Sequence, residues 1–163
     1  MTVDPVKTLV LDALATMLGE INEIGAVRPS ELFPADPDNL YPDNDNPASL
    51  PVLFIWEDED RDRWGRLAYN KLHIHLQVYM KLPEDTGIPG EAGYPGFGKA
   101  ANYLAAKIQA KLAAPAPLRS AGAVEIEEGE VHKSPINLTW GQLIMPYTIT
   151  YAHVWGNPMS TQI

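Results

Sequence analysis

The segment Tyr69–Leu82 has the longest strict alternation of apolar and polar residues in this chain of 163 residues. The apolar side of the alternation consists of Leu72, Ile74, Leu76, Val78 and Met80. The other side consists of His73, His75, Gln77, Tyr79 and Lys81. Because successive side chains of a β-strand point to opposite faces of its sheet, this pattern predicts a long strand with one face on a core and one wetter face.

A helix and a long connector precede this strand. Apolar residues recur at three- and four-residue steps over residues 3–24, which predicts an amphipathic helix that packs on the sheet. Asp4 and Pro5 suit its first turn, since Asp can cap exposed N–H groups and Pro needs no donor there. Gly25 suits its end. Residues 26–51 contain six prolines and many acids, which predicts a connector without regular structure.

A β-hairpin is predicted around a run of charged residues. Val52–Trp56 is a short apolar segment, and it continues directly into the acidic and basic residues Glu57–Arg63. Such a run is typical of an exposed turn. The pattern therefore predicts that Glu57–Arg63 forms a protruding tip between the short strand and an antiparallel long strand over residues 66–82.

Further elements follow the long strand. Residues 83–98 are rich in glycine and proline, which predicts a loop. Apolar residues at helical spacing predict a helix over Lys99–Leu112. A polar strand over Val124–Val131 and a closing strand over Leu143–Trp155 complete the sheet, and Pro146 indicates an edge or a bulge in the closing strand.

The predicted fold class is α+β. The element order is helix-strand-strand-helix-strand-strand, which predicts one mostly antiparallel four-stranded sheet with two helices packed on one face. A chain of this length is predicted to form a single domain over residues 1–163. Residues 156–163 are expected to be a flexible tail.

The chain has a net charge of −9, and the excess of acid is local. Residues 31–60 hold nine acidic residues and no lysine or arginine, while the twelve other acids are balanced by twelve bases. An acidic surface repels phosphates, so specific nucleic-acid binding is not expected. No apolar run reaches the roughly 18–20 residues of a membrane helix, so no membrane partner is expected. The absence of cysteine excludes disulfides and thiolate metal sites.

Two patterns resemble ligand sites but are incomplete. Gly93–Lys99 has the spacing of a phosphate-binding loop, but Ala100 stands where that motif needs a hydroxyl group for magnesium. His73 and His75 could form a zinc pair on one face of the long strand, but no further ligand is fixed by the sequence. We expect the two histidines to face solvent or another copy of the protein.

Two acidic patterns are equally incomplete. Asp43–Asn46 resembles the start of a calcium loop, but Ala48 and Phe54 stand where the motif needs Gly and Glu. The run Glu57–Asp60 could be a carboxylate site, a solvated tip or a surface that docks on the bases of a neighbouring copy. No nucleophile motif is present. We therefore expect no enzymatic activity, no catalytic or metal-binding residues and no cofactor.

The order of the predicted elements and the residue patterns of four segments resemble those of a known protein family. The segments that carry the resemblance are PVLFIWEDED (Pro51–Asp60), KLHIHLQVYMKL (Lys71–Leu82), AANYLAAKIQAKL (Ala100–Leu112) and MPYTITYAHVW (Met145–Trp155). Together with the N-terminal amphipathic helix, they resemble the tail-terminator, or tail-completion, proteins of long-tailed bacteriophages over about residues 3–155.

The resemblance implies a structural virion protein with a small α+β fold. Copies of such a protein, expected as a hexamer, close into a ring on the end of the tail tube, stop its polymerisation and form the surface that joins the head connector. The implied partners are the protein itself, the tail-tube protein and a head-completion or connector protein. DNA can pass through such a ring. The implied location is the virion tail, assembled in the host cytoplasm.

The resemblance supplies no catalytic residues, so the predicted site is a set of contact surfaces. The candidate interaction residues are Glu57, Asp58, Glu59, Asp60, Arg61, Trp64, Tyr94, Phe97, Lys99, Lys107 and Lys111. The alternatives are another phage neck or head–tail joining protein, a small non-enzymatic interaction module, and a nucleotide- or metal-dependent enzyme.

Overall fold

Nine helices and strands make up the part of the chain that the computed structural model describes, which is residues 4–29, 51–64, 66–81, 95–135 and 140–159. In chain order they are α1 (Val6–Gly19), β1 (Ala26–Pro29), β2 (Val52–Trp64), β3 (Leu67–Lys81), α2 (Pro95–Leu112), α3 (Ala116–Ala121), β4 (Ala123–Glu128), β5 (His132–Pro135) and β6 (Trp140–Val154).

The long alternating segment forms β3, which lies in the middle of the sheet. The six described strands have the order β1-β2-β3-β6-β4, and β5 pairs with a separate part of β6. β1 is parallel to β2, and the remaining pairs are antiparallel. β3 pairs with β2 over Leu67–Tyr79 and with β6 over Leu67–Lys81. Its backbone groups therefore have partners on both sides along almost its whole length.

One face of the sheet carries the main core, as the alternation predicts. The five apolar residues of the β3 alternation, Leu72, Ile74, Leu76, Val78 and Met80, are all buried on this face. All three helices contribute to the same cluster, through residues such as Leu14 of α1, Ile108 of α2 and Leu118 of α3. Each fully buried side chain of this size contributes roughly 1.5–3 kcal/mol, so a one-residue slip of β3 would expose the whole row to water.

The predicted strand and helix counts are wrong, although the α+β class is correct. In the described part of the chain the sheet has six strands and is mixed, and three helices are present instead of two. β1 and β5 have four residues each, which is too short for a visible alternation, and each contains a proline. α3 has six residues and begins directly after Pro115, and it is too short for a visible helical pattern.

The prediction that Glu57–Arg63 forms a turn is also wrong. These residues belong to β2 and pair in register with β3, from Glu57 opposite Ile74 to Arg63 opposite Ala68. The connection between the two strands lies between Trp64 and Leu67. Acidic residues have a low strand preference, but pairing with a long neighbouring strand overrides that preference.

Both ends of α1 differ from the prediction over residues 3–24. The helix spans Val6–Gly19, and Pro5 occupies the capping position without a side-chain hydrogen bond. The backbone N–H of Val6 instead donates to the carbonyl of Pro158 at 2.9 Å. Residues 156–159, expected as part of a flexible tail, therefore hold the start of α1.

Several predicted segments lie outside the described residues. They are residues 30–50 of the connector, residues 82–94 of the Gly/Pro-rich loop with Tyr94, and residues 160–163 of the tail. The other end of the predicted loop is helical, because α2 begins at Pro95.

Pro146 marks a break between the two strands that flank β6. β5 pairs with β6 from Gly141 to Ile144, and β4 pairs with β6 from Tyr147 to Tyr151. Between them, the N–H of Gly129 donates to the carbonyl of Pro146 at 2.7 Å. In antiparallel pairing the N–H and C=O of one residue point to the same side, so the donor that Pro146 lacks would face this break.

Gly129→Ala is expected to lower the free energy of unfolding by about 1–3 kcal/mol. A Cβ at this position would lie 2.8 Å from Cγ of Pro146 and 3.1 Å from its carbonyl oxygen, and neither atom can move freely. Urea unfolding followed by circular dichroism measures the change.

Gly19→Ala is the matched control, since a Cβ at Gly19 meets nothing within 4 Å. It should leave stability unchanged or raise it, because alanine favours a helix over glycine by up to about 1 kcal/mol. Equal stability of the two variants would contradict the close approach of Gly129 to Pro146.

Candidate interaction surface

The sheet has a second face on which none of the described helices packs. We call the outward side chains of β2, β3 and β6 on this side the open face. It consists of Trp56, Asp58, His73, His75, Gln77, Pro146 and Thr148. They lie there because strand residues alternate, and the intervening positions of all three strands point to the core.

An exposed tryptophan lies near the middle of the open face. Trp56 is 40% exposed, and its ring centroid lies 5.5 Å from that of His75 on the neighbouring strand. Nδ1 of His73 lies 3.4 Å from the hydroxyl oxygen of Thr148. A large aromatic side chain held in place by a neighbour but left partly open to water is typical of a protein contact site.

A small buried apolar cluster lies on the same face of the sheet, next to β1. Val52, Phe54 and Tyr79 are buried together, with Ala26 packed against them. The rings of Phe54 and Tyr79 meet edge to face with centroids 6.0 Å apart. Burial raises the pKa of the Tyr79 hydroxyl to about 12. This cluster gives the open face a fixed apolar end.

The predicted acidic tip is divided between the two faces of the sheet. Glu57 and Glu59 lie on the helix side, where the Lys7 ammonium lies 3.4 Å from Glu57 and 2.9 Å from Glu59. The Tyr151 hydroxyl donates a hydrogen bond to Glu59 at 3.2 Å. Burial by itself would lower the pKa of Lys7, but the hydrogen bond and charge of Glu59, with those of Glu57, outweigh it and raise that pKa.

The remaining acidic-run residues have different surroundings. Asp58 lies on the open face, is exposed, and accepts a hydrogen bond from the backbone N–H of Glu59 at 2.8 Å. The backbones of Asp60, Arg61 and Trp64 belong to β2, but their side chains lie outside the described part, as does that of Phe97 in α2. Of the acidic-run side chains that the structure describes, Asp58 is the one that lies on the open face with Trp56.

Two of the three predicted lysines join α2 to the end of α1. Nζ of Lys107 lies 3.7 Å from Glu23 and 5.2 Å from the centroid of the Tyr103 ring, and Lys111 forms an ion pair with Glu20. These pairs are exposed, so each is worth at most about 1 kcal/mol. Lys99 is exposed on α2. Of the three, Lys99 best fits the predicted basic contact surface.

The residues suggested as ligand sites do not converge. No group of three or more His, Asp or Glu side chains within the described ranges is placed to hold a metal ion. His132 lies on the outer strand β5, and His153 lies on β6 in the register that faces the core side. The segment Pro95–Lys99, five of the seven residues of the candidate phosphate loop, belongs to the start of α2 and is not a loop.

Sequence reasoning missed two residues that organise the helix side. Lys7 binds both glutamates of β2, which lie 50 or more positions later in the sequence. No short-range pattern predicts a pair so far apart. Asn70 is fully buried, and it occupies the apolar side of the β3 alternation, two residues before Leu72. The sequence did signal Asn70, because it is a polar residue at a position that the alternation predicts to be buried.

Lys7→Met is expected to lower the free energy of unfolding by about 1–3 kcal/mol, since two partly buried carboxylates would lose their cation. Lys111→Met removes an exposed pair of the same type and should cost less than about 1 kcal/mol. Urea unfolding at pH 7 measures both. Equal losses of unfolding free energy in the two variants would show that burial of Glu57 and Glu59 does not strengthen their ion pairs with Lys7.

Stability is expected to fall as pH rises from 10 to about 12, because the unfolded chain then loses the Tyr79 proton while the folded chain retains it. Burial also raises the pKa of Tyr147, which adds to the same trend. Tyr79→Phe should therefore make the decline shallower than in the wild type.

Tyr103→Phe is the control for this titration, because Tyr103 is exposed. Unfolding free energies measured in urea at intervals between pH 8 and pH 12 provide the test. A Tyr79→Phe variant with the same alkaline decline as the wild type would contradict the raised pKa of Tyr79.

No helix in the described part of the chain has the length and the apolar character of a membrane span. Comparison of the sequence with known protein families and with curated proteins gives no match.

Proposed function

We propose that this protein is a structural component of a phage virion that caps the end of a tail tube as a ring. In this role it stops polymerisation of the tube and forms the surface that joins the head connector. Its partners are other copies of itself, with a hexamer as the expected ring, together with the tail-tube protein and the head-completion or connector protein. It would reside in the virion tail after assembly in the host cytoplasm.

The open face is the observation that supports this proposal most directly. A ring requires each copy to present a surface that a neighbour can cover. The open face offers the half-exposed Trp56 packed on His75, beside the exposed Asp58. Tryptophan is enriched among the residues that dominate binding energy at protein interfaces. A strand framework 13–15 residues long holds these side chains in fixed positions.

The distribution of charge is compatible with a passage for DNA. The chain has a net charge of −9, so its surface as a whole does not attract phosphates. Lys107 and Lys111 are engaged by Glu23 and Glu20. A ring of such copies would allow DNA to move through it without binding it tightly.

The corrected fold retains the order that carries the resemblance to tail-terminator proteins. An amphipathic helix precedes a long hairpin, a second long helix follows, and a long closing strand ends the sheet. The strands β1 and β5 and the helix α3 are short elements that the predicted order lacked.

Light scattering coupled to size-exclusion chromatography tests the ring, with the protein alone and with tail-tube protein from the same phage. We expect a hexamer, or a monomer that forms rings on tube ends and shortens the tubes in electron micrographs. Trp56→Ala should weaken assembly by about 30-fold or more, the equivalent of the 2 kcal/mol typical of a dominant interface residue.

Tyr103→Ala is the matched control, since Tyr103 is an exposed aromatic residue on the helix layer, 55% exposed compared with 40% for Trp56. It should assemble like the wild type. A protein that stays monomeric at every concentration and neither caps nor shortens tubes would overturn the proposal. Unchanged assembly of Trp56→Ala would instead remove the open face as the contact between copies.

A further inference from the structure

A cleft lies next to β4, where α1 and α3 approach the first residues of β3 and the last residues of β6. Its volume is about 490 Å³. Three of the six large apolar side chains that are exposed in the described part of the chain line it, namely Leu9, Val124 and Met159. Single exposed apolar residues are normal on a protein surface, but several of them in one concave patch indicate a contact site.

A β-bulge explains the exposure of Val124. The register of β4 against β6 shifts between Ala123 and Glu125, so Val124 is an extra residue without a partner on β6. Its side chain is 53% exposed. A bulge changes the direction in which a strand side chain points. The backbone of β4 therefore fixes this apolar group at the wall of the cleft.

Arg119 of α3 gives the cleft a positive charge. It is the one charged residue among those that line the cleft. Its side chain is exposed, and it has no ion-pair partner among the described residues. A guanidinium binds carboxylates strongly and with defined geometry. The cleft is therefore suited to an apolar side chain that has a carboxylate beside it.

The open face carries such a pair of side chains near the other edge of the sheet. Trp56 and Asp58 are both exposed, and they point to the same side because they lie two residues apart on β2. Within the described ranges Asp58 has no cationic partner. β1 pairs with β2 only as far as Ile55, so Trp56 is the first residue of β2 beyond β1. Clefts of roughly 300–1,000 Å³ hold whole small-molecule ligands, so this cleft has room for one indole ring.

We propose that Trp56 of one copy inserts into this cleft on the next copy, where Asp58 forms an ion pair with Arg119. The sheet order places β2 and β4 toward opposite edges, so the two surfaces are different and the contact can repeat from copy to copy until a ring closes. The inference rests on the proposed ring and adds the surface that receives the open face. A second copy is the occupant because this chain itself carries the matching aromatic and acidic side chains.

Exchange of charge between copies tests the contact. Asp58→Arg and Arg119→Asp each place like charges together, and each should weaken assembly at least about tenfold. An equimolar mixture of the two variants should assemble like the wild type, since alternating copies restore every ion pair around a ring with an even number of subunits. Light scattering coupled to size-exclusion chromatography measures assembly, with and without tail-tube protein, and circular dichroism checks that each variant folds.

Two further variants separate the cleft from a general effect of charge. Lys133→Asp reverses an exposed base on β5, which pairs with the opposite end of β6 from the cleft, and it should assemble like the wild type. Val124→Asn keeps the net charge but places a polar group in the cleft, so it should weaken assembly about threefold or more. Both positions are exposed, so neither change should disturb the fold.

The possible outcomes distinguish this contact from the proposed function. Unchanged assembly of either charge variant, or a mixture that assembles no better than its components, would overturn the contact and leave the ring intact. Normal rings of Arg119→Asp that no longer cap tubes would also overturn it, and would assign the cleft to the tail-tube protein. A wild type that stays monomeric at every concentration would overturn both proposals. Rescue in the mixture without any capping of tubes would support the contact and remove the tail function.

Discussion

The pairing of β3 with β2 on one side and β6 on the other is the constraint on which the rest of the structure depends. Both ladders continue for almost the full length of β3, so its register determines which side chains of all three strands face the helices. The core row from Leu72 to Met80 and the polar row from His73 to Gln77 are two results of one register. The helices cover the first row, and the second forms much of the open face.

The parts of the fold that the sequence predicted are those with long, regular patterns. Alternation located β3 and its buried face, and helical spacing located α1 and α2, because many residues report one periodicity there. β1, β5 and α3 are too short to carry a period. The turn predicted for the charged run was wrong for another reason. A paired long strand imposes its conformation on residues that would otherwise favour a turn.

The candidate surfaces were harder to predict than the fold. Trp56 and Asp58 share a face while Glu57 and Glu59 lie opposite, a division that follows from alternation only once the run is known to be a strand. The pair of Lys7 with two glutamates joins residues 50 or more apart. Asn70 alone left a local signal, as a polar residue in an apolar row.

The charged half of β2 also has a consequence during synthesis. β2 and β3 are adjacent in sequence and can pair early, but β6 leaves the ribosome about 60 residues later. Among the described strands, β1 covers only Val52–Ile55 of β2, which leaves the backbone edge of the remaining residues of the nascent hairpin open. Five acids and two arginines lie between Glu57 and Arg63. Charged residues on an open strand edge disfavour pairing with other chains, so we expect this stretch to limit aggregation while the sheet is incomplete.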